Sequence, residues 1–346
     1  MNAQALAATA RALVADGKGL LAMDESIHTC NQRLAGAGIA TTVDQRRAWR
    51  DLLLTTPSLG QCISGVILAD ETIWQAQADG TPFVQAAARA GLRVGIKVDT
   101  GTEHLAGHPG ETVTGGLDGL AARLQSYAGL GACFAKWRGV FRVDADQLPG
   151  TACIDANAHA LARYAAACQA AGLVPVVEPE VLMDGGHGQA RCQAVTEAVL
   201  RSVLRQLTRQ GVLLEGLLLK PNMVVAGLAC ATQATPAEVA GATLQALRRV
   251  VPAAVPGIVF LSGGQSGPVA SSNLNALHAA LQAGPGAGAP PWPLSFSFAR
   301  ALQHPALEIW AGKPANRAAA QQALLQRARC NQAALAGRYS AGMEAQ

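Results

Sequence analysis

The 346-residue sequence predicts an α/β fold, a single (β/α)8 TIM barrel, on three observations. Eight short apolar runs recur along the chain with helical stretches between them. The runs are apolar on both faces, as parallel strands covered by helices must be. After the first run, where a doubly wound dinucleotide-binding sheet needs a Gly-rich turn, the chain has "MDESIHTC". Eight βα units in a chain of this length are expected to close into a barrel.

The elements follow in order. "MNAQALAATARALVADGKG" lacks an uninterrupted apolar core, so it reads as an amphipathic N-terminal helix rather than a secretory signal. Strands are expected within 19–25, 64–71, 93–99, 132–138, 173–180, 214–222, 257–264 and 293–300. Helices are expected at 44–54, 117–129, 154–171, 192–210 and 236–249. "QAGPGAGAPPWP" reads as a flexible surface loop before the last strand. One domain spans 1–346, ending in a short flexible tail from about 338.

Composition narrows the function. Half the residues are hydrophobic and only 14% are charged, which suits a large buried core. A net charge of +4 with no basic run argues against nucleic acid as a partner. The longest apolar stretches, such as "VVPAAVPGIVFL", are broken by proline and too short to span a bilayer. Eight scattered cysteines without a CxxC pair predict free thiols in a reducing, cytoplasmic setting.

Lysine carries the chemical signal. The chain has five lysines against twenty-two arginines, so a generic positive charge is nearly always Arg. A lysine kept inside an apolar run points to an amine whose proton can be removed, which guanidinium does not allow. Lys97, Lys136 and Lys220 end the runs "RVGIKVD", "ACFAKWR" and "LEGLLLKPN". Lys220 is the clearest candidate for a Schiff-base nucleophile, desolvated and with a second cation nearby. Burial beside Lys136 is expected to depress its pKa.

Polar residues mark the C-terminal ends of all eight runs: Asp24 and Ser26, Asp70 and Glu71, Lys97 and Asp99, Lys136 and Arg138, Glu178 and Glu180, Lys220, Ser262 to Gly264, and Ser297 with Arg300. Singly, each could be a cap or a solvated charge. In a barrel the eight ends meet on one face, where active sites of this fold are built. "LSGGQS" offers backbone N–H groups and a hydroxyl, and "FSFAR" adds Ser297 and Arg300; both suit a phosphate. Lys97, Arg138, Arg33 and Ser26 suit a second anion across the mouth. His104, His108 and Glu111 of "EHLAGHPGE" could be imagined as metal ligands, but Gly and Pro break the helical spacing, and no metal is expected. His187 of "MDGGHGQARC" reads as a loop residue, and Trp137 and Trp310 as packing. Neither GxGxxG nor GxxxxGK[ST] occurs, so no nucleotide cofactor is expected.

With these residues in view, the sequence resembles class I fructose-bisphosphate aldolase, the Schiff-base family of glycolysis and gluconeogenesis. The resemblance runs through "GKGLLAMDES", "GVILADET", "GIKVDTG", "ETVTGGLDGL", "FAKWR", "VEPE", "LLKPNMV", "FLSGGQS" and "LNALH", nearly the whole chain. It implies the (β/α)8 fold, a homotetramer, sugar-phosphate substrates and no cofactor. By the resemblance, Lys220 forms the Schiff base and Glu178 is the acid/base; Asp24 and Lys136 surround the imine. Ser262, Gly263, Gly264, Ser297 and Arg300 would hold the C1 phosphate. Arg33, Ser26, Lys97 and Arg138 lie toward the C6 phosphate, and Glu180 of "VEPE" is expected among the substrate-binding residues. The sequence departs from the familiar animal enzymes at Thr29, Thr100 and Ala299, where Ser, Lys and Gly are usual. Its tail, "GRYSAGMEAQ", lacks the longer extension ending in Tyr and reads as a frayed end without a catalytic part.

Two rival readings have less support. A metal-dependent aldolase or isomerase needs converging His ligands, and a non-catalytic sugar-phosphate-binding barrel has no use for Lys220, Glu178, Asp24 and Lys136 together.

Overall fold

The computed structural model describes residues 2–144, 147–283 and 290–345. Its strands are β1 (Gly19–Met23), β2 (Ile63–Leu68), β3 (Arg93–Lys97), β4 (Gly101–His104), β5 (Thr112–Gly115), β6 (Phe134–Phe141), β7 (Val174–Val181), β8 (Leu218–Leu219), β9 (Ile258–Phe260) and β10 (Leu294–Phe298). Eight close into a barrel in the order β1-β10-β9-β8-β7-β6-β3-β2, all paired in parallel. Each expected run supplies one barrel strand. The expected helices are present at Val43–Leu54, Leu120–Gly129, Thr151–Ala170, Gln189–Arg209 and Pro236–Val250. The last begins with a capping box between Thr235 and Glu238 and has Pro236 in its first turn.

Strand periodicity decides what fills the barrel. Alternate residues point inward. The interior is packed by Leu20, Ala22, Ile67, Phe134, Val174, Val176, Leu218 and Val259. The helix Ala3–Leu13 closes the N-terminal end with Leu6, Ala10 and Leu13 in the same cluster. The large inward aromatic Phe134 requires glycine opposite it: a Cβ on Gly95 would sit 2.1 Å from its ring. On the outer face of the barrel, a Cβ on Gly19 would sit 2.4 Å from Phe296.

Two features differ from the sequence reading, and one expectation is left untested. The β4–β5 hairpin follows β3 outside the barrel; its short, mostly polar strands give little hydrophobic signal. Residues 284–289 of the expected surface loop lie outside those described. The tail is not a frayed end. Ala341–Ala345 form a 3-10 turn folded back on the helix Arg317–Leu335. Glu344 ion-pairs with the buried Arg327 and accepts the Tyr339 hydroxyl at 2.7 Å. Gln326 donates from Nε2 to the Met343 carbonyl at 2.6 Å. A buried guanidinium requires a counter-charge, and the tail supplies it.

Candidate active site

The inward alternation that packs the barrel bottom with aliphatic groups continues upward into charged ones. Leu20 and Ala22 lead to Asp24, Phe134 to Lys136 and Arg138, Val174 and Val176 to Glu178 and Glu180, and Leu218 to Lys220. All these polar side chains line one cavity of about 550 Å³ at the C-terminal end of the barrel. Arg33, Ser26, Lys97, Ser262, Gly263, Gly264, Ser297 and Arg300 line it too, so the structure brings together every residue that the resemblance assigns to the site.

The centre is a buried alternation of charge. Lys220 Nζ lies 2.8 Å from Glu178 Oε1, while Glu178 Oε2 is 3.0 Å from Lys136 Nζ. Lys136 Nζ is also 2.7 Å from Asp24 Oδ2. All four residues are buried. Burial would push the Asp24 carboxyl up, but the Lys136 and Lys220 ammonium groups outweigh it and hold it down at about 2. The same balance of burial against Lys136 and Lys220 keeps Glu178 below the usual carboxylate range. For Lys136, burial favours loss of the proton, yet Asp24 and Glu178 raise the pKa well above the ordinary lysine value. Lys136 is therefore held as a cation at neutral pH. The second cation expected beside Lys220 is present, with Glu178 bridging the two.

Around this centre the rim cations come with their own carboxylates. Lys97 Nζ is 2.6 Å from Asp99 Oδ1, Arg138 pairs with Glu180, and Arg33 pairs with Glu25. Glu25 also meets Arg50 at 2.7 Å. Ser26 caps the helix Ile27–Gly36, its Oγ accepting from the Thr29 N–H at 3.2 Å. On the other side of the mouth, Gly263 turns at φ +57°, an αL geometry suited to glycine. Arg300 makes no ion pair among the described residues and donates from Nη2 to the Gly264 carbonyl at 3.0 Å. Ser297 Oγ is buried without a hydrogen-bond partner among them. An unneutralised guanidinium, a free hydroxyl and a glycine turn together suit an anion.

The model of the family "Fructose-bisphosphate aldolase class-I" matches residues 5–346. The chain belongs to the class-I fructose-bisphosphate aldolase family. It is 52% identical over 340 residues to the "Probable fructose-bisphosphate aldolase class 1" of Xanthomonas campestris pv. campestris, covering 98% of this chain and 99% of that protein. To "Fructose-bisphosphate aldolase 6, cytosolic" of Arabidopsis thaliana it is 50% identical over 337 residues, covering 97% and 92%. The solved fructose-bisphosphate aldolase of Plasmodium falciparum superposes with a TM-score of 0.94 at 47% identity, covering 98% of this chain and 96% of that one. The enzyme is thus a metal-independent lyase of the class-I type, with the barrel expected from its strand pattern.

Two strand-end carboxylates do not reach the aldolase cavity. Asp70 and Glu71 begin the short helix Asp70–Ile73, which breaks the strand alternation. Asp70 accepts from the Tyr127 hydroxyl at 2.8 Å, and Glu71 binds Arg46 at 2.6 Å. Glu111 of the discounted metal motif accepts the Gly150 N–H at 2.6 Å. Among the described residues no group of three or more His, Cys, Asp or Glu is arranged to hold a metal ion, and no helix is long and apolar enough to cross a membrane. Sequence reasoning missed Glu25 and Met183 as cavity residues. Glu25 lies between two named motif residues and could have been found there. Met183 carries no charge and gave no signal.

Proposed function

We propose that this enzyme cleaves fructose 1,6-bisphosphate reversibly to dihydroxyacetone phosphate and glyceraldehyde 3-phosphate through an imine on Lys220. The observation that carries the assignment is the Glu178 carboxylate shared between Lys220 and Lys136. Glu178 accepts a proton from the Lys220 ammonium, and the free amine attacks C2 of the ketose. The carbinolamine hydroxyl then leaves as water, with Glu178 supplying its proton. The resulting iminium withdraws the electron pair of the C3–C4 bond as Glu178 takes the C4 hydroxyl proton. Glyceraldehyde 3-phosphate departs, leaving an enamine that is protonated at C3 and hydrolysed.

Lys136 remains charged throughout, so it stabilises the developing alkoxide and keeps Glu178 ionised between steps. Asp24, held anionic, orients Lys136 and balances the iminium charge. We assign the C1 phosphate to Ser262, Gly263, Gly264, Ser297 and Arg300. The C6 phosphate goes to the opposite rim, where Arg33, Ser26, Lys97 and Arg138 stand. Anchoring both ends orients the reacting carbon between Lys220 and Glu178.

Borohydride added with dihydroxyacetone phosphate should inactivate the enzyme and leave one reduced adduct, found by peptide mass spectrometry on Lys220. An adduct confined to Lys97 or Lys136 would reassign the nucleophile. The homotetramer usual for the family and a cytoplasmic location belong to the same reading. The location is supported by the cytosolic Arabidopsis relative and by eight free cysteines. Light scattering giving a monomer would remove the tetramer.

A further inference from the structure

Arg327 belongs to the helix Arg317–Leu335 and does not line the active-site cavity. Its buried guanidinium nevertheless joins the two helices that follow the proposed phosphate groups. One helix, Gly267–Ala283, comes after the turn that holds Ser262, Gly263 and Gly264. The other, Arg300–Trp310, comes after Ser297 and begins with Arg300 itself. Arg327 Nη2 donates to Ser271 Oγ in the first helix at 2.7 Å. Its Nε donates to the Ala301 carbonyl in the second at 3.4 Å, a longer bond. Nη1 takes the ion pair with Glu344. Each nitrogen of the fork thus has its own partner, and the rigid plane of the guanidinium fixes how those partners stand to one another.

The junction is closely packed. A Cβ on Gly267 would lie 2.8 Å from the Ala301 carbonyl oxygen and 2.9 Å from Arg327 Nε. Ser271 is fully buried and in turn donates to Asn331 Oδ1 at 2.6 Å, one turn along the helix from Arg327. The phosphate turn is tied to the same helix as Ser271. Asn273 Nδ2 donates to Gln265 Oε1 at 2.7 Å, both residues buried, and the Gln265 N–H donates to the Ser262 carbonyl at 3.1 Å. The turn therefore moves with its helix, as Arg300 moves with Ala301. Arg300 Nη2 also reaches the Gly264 carbonyl, but that link uses the side chain assigned to the phosphate. Arg327 holds the same two elements from outside the cavity.

We propose that Arg327 is a positioning residue for the C1 phosphate: its guanidinium keeps the turn at Ser262, Gly263 and Gly264 in one fixed relation to Arg300. The inference rests on the assignment of those groups to that phosphate. Backbone N–H groups and a guanidinium act on one anion only while they are held around it together. A misplacement of about 1 Å in such a supporting element is enough to weaken the site. Lysine in this place would keep the charge and lose the fork. Glu344 has a different part. It neutralises the buried guanidinium and so contributes stability, while Ser271 and Ala301 receive the bonds that set geometry. The two roles are separable by mutation.

The test measures the condensation reaction, in which each substrate carries one of the two phosphates. Arg327→Lys retains a cation for Glu344, and KM for dihydroxyacetone phosphate should rise about three- to tenfold, the range one hydrogen bond spans. KM for glyceraldehyde 3-phosphate should change less than about twofold. Ser271→Ala leaves the ion pair intact and should raise the same KM by less; it gives the reading where the lysine variant does not fold. Glu344→Gln should lower the melting temperature and leave both KM values within about twofold. If the Arg327 and Ser271 variants leave KM for dihydroxyacetone phosphate unchanged, or raise both KM values alike, the positioning role is wrong. It is equally wrong if Glu344→Gln moves that KM as far as they do. Arg300→Ala, measured in parallel, tests the phosphate assignment separately. Should it weaken glyceraldehyde 3-phosphate instead, the two phosphate ends are exchanged. Arg327 then keeps its role only if its variants weaken that substrate too.

Discussion

The Nζ of Lys220 lies 2.8 Å from Oε1 of Glu178, with both side chains enclosed at the top of the barrel. The proposed nucleophile and the group proposed to take its proton are therefore in contact. They sit on neighbouring strands, paired through Val176 with Leu218 and Val177 with Leu219, so the sheet register itself sets their separation.

Glu178→Gln keeps the size of the side chain and removes the proton acceptor. General acid–base catalysis contributes about a hundred- to ten-thousand-fold, and kcat should fall within that range. Steady-state cleavage of fructose 1,6-bisphosphate reads it. A loss smaller than about threefold would transfer the role to another group.

Arg300 and Lys97 occupy opposite sides of the mouth. Arg300→Ala removes a charge-assisted contact of about 1.5–3 kcal/mol, or roughly ten- to a hundred-fold in kcat/KM. The loss should be alike for fructose 1,6-bisphosphate and fructose 1-phosphate, which share the C1 phosphate. Lys97→Ala should hurt the bisphosphate more. The reverse pattern exchanges the two phosphate ends.

His278 gives the fold an acid-side weakness. Its imidazole is largely buried with Nε2 unpartnered among the described residues, and burial pushes its pKa down to about 4 from the ordinary 6.5. The unfolded chain then binds a proton more readily than the native one across this interval. Stability is fully present above 6.5 and is lost as pH falls through about 4. Asp24, held down at about 2, acts in the same direction in a lower window. The melting temperature of the wild type should fall more steeply than that of His278→Leu as pH falls from 7 toward 4. Parallel slopes would discount the imidazole.

Deleting residues 340–346 removes Glu344 and leaves Arg327 buried without its counter-charge. Stripping one partner from such a pair should cost on the order of 1–3 kcal/mol, visible as a lower melting temperature. The turn packs on the helix Arg317–Leu335, and among the described residues none beyond Arg300 lines the active-site cavity. At a temperature where the truncated enzyme is folded, kcat/KM for fructose 1,6-bisphosphate should change less than about threefold. A selective loss of bisphosphate cleavage would give the tail a part in catalysis.

Much of the site was legible because strands obey a two-residue period. Lys136 with Arg138, and Glu178 with Glu180, are spaced to share the inward face, and each follows apolar residues of the same parity. Asp70 and Glu71 were misread because a helix begins at Asp70, ending the alternation at a point their own residue types do not announce. The tail was misread because its anchor is remote: Glu344 looks like any terminal acid until Arg327 is found buried beneath it.

The linear sequence was thus enough for the barrel, for the scarcity of lysine that singles out Lys220, and for the charged ring at the strand ends. These are properties of residue type and spacing, which the chain carries locally. Only the tertiary structure decided that Glu178 joins Lys220 to Lys136, and that Arg300 has no carboxylate partner among the described residues while Lys97 and Arg138 each have one. Ion pairs and contacts form between strand ends far apart in the chain. Closure of the barrel brings them within a few ångströms, at distances set by strand register and shared burial rather than by separation in sequence.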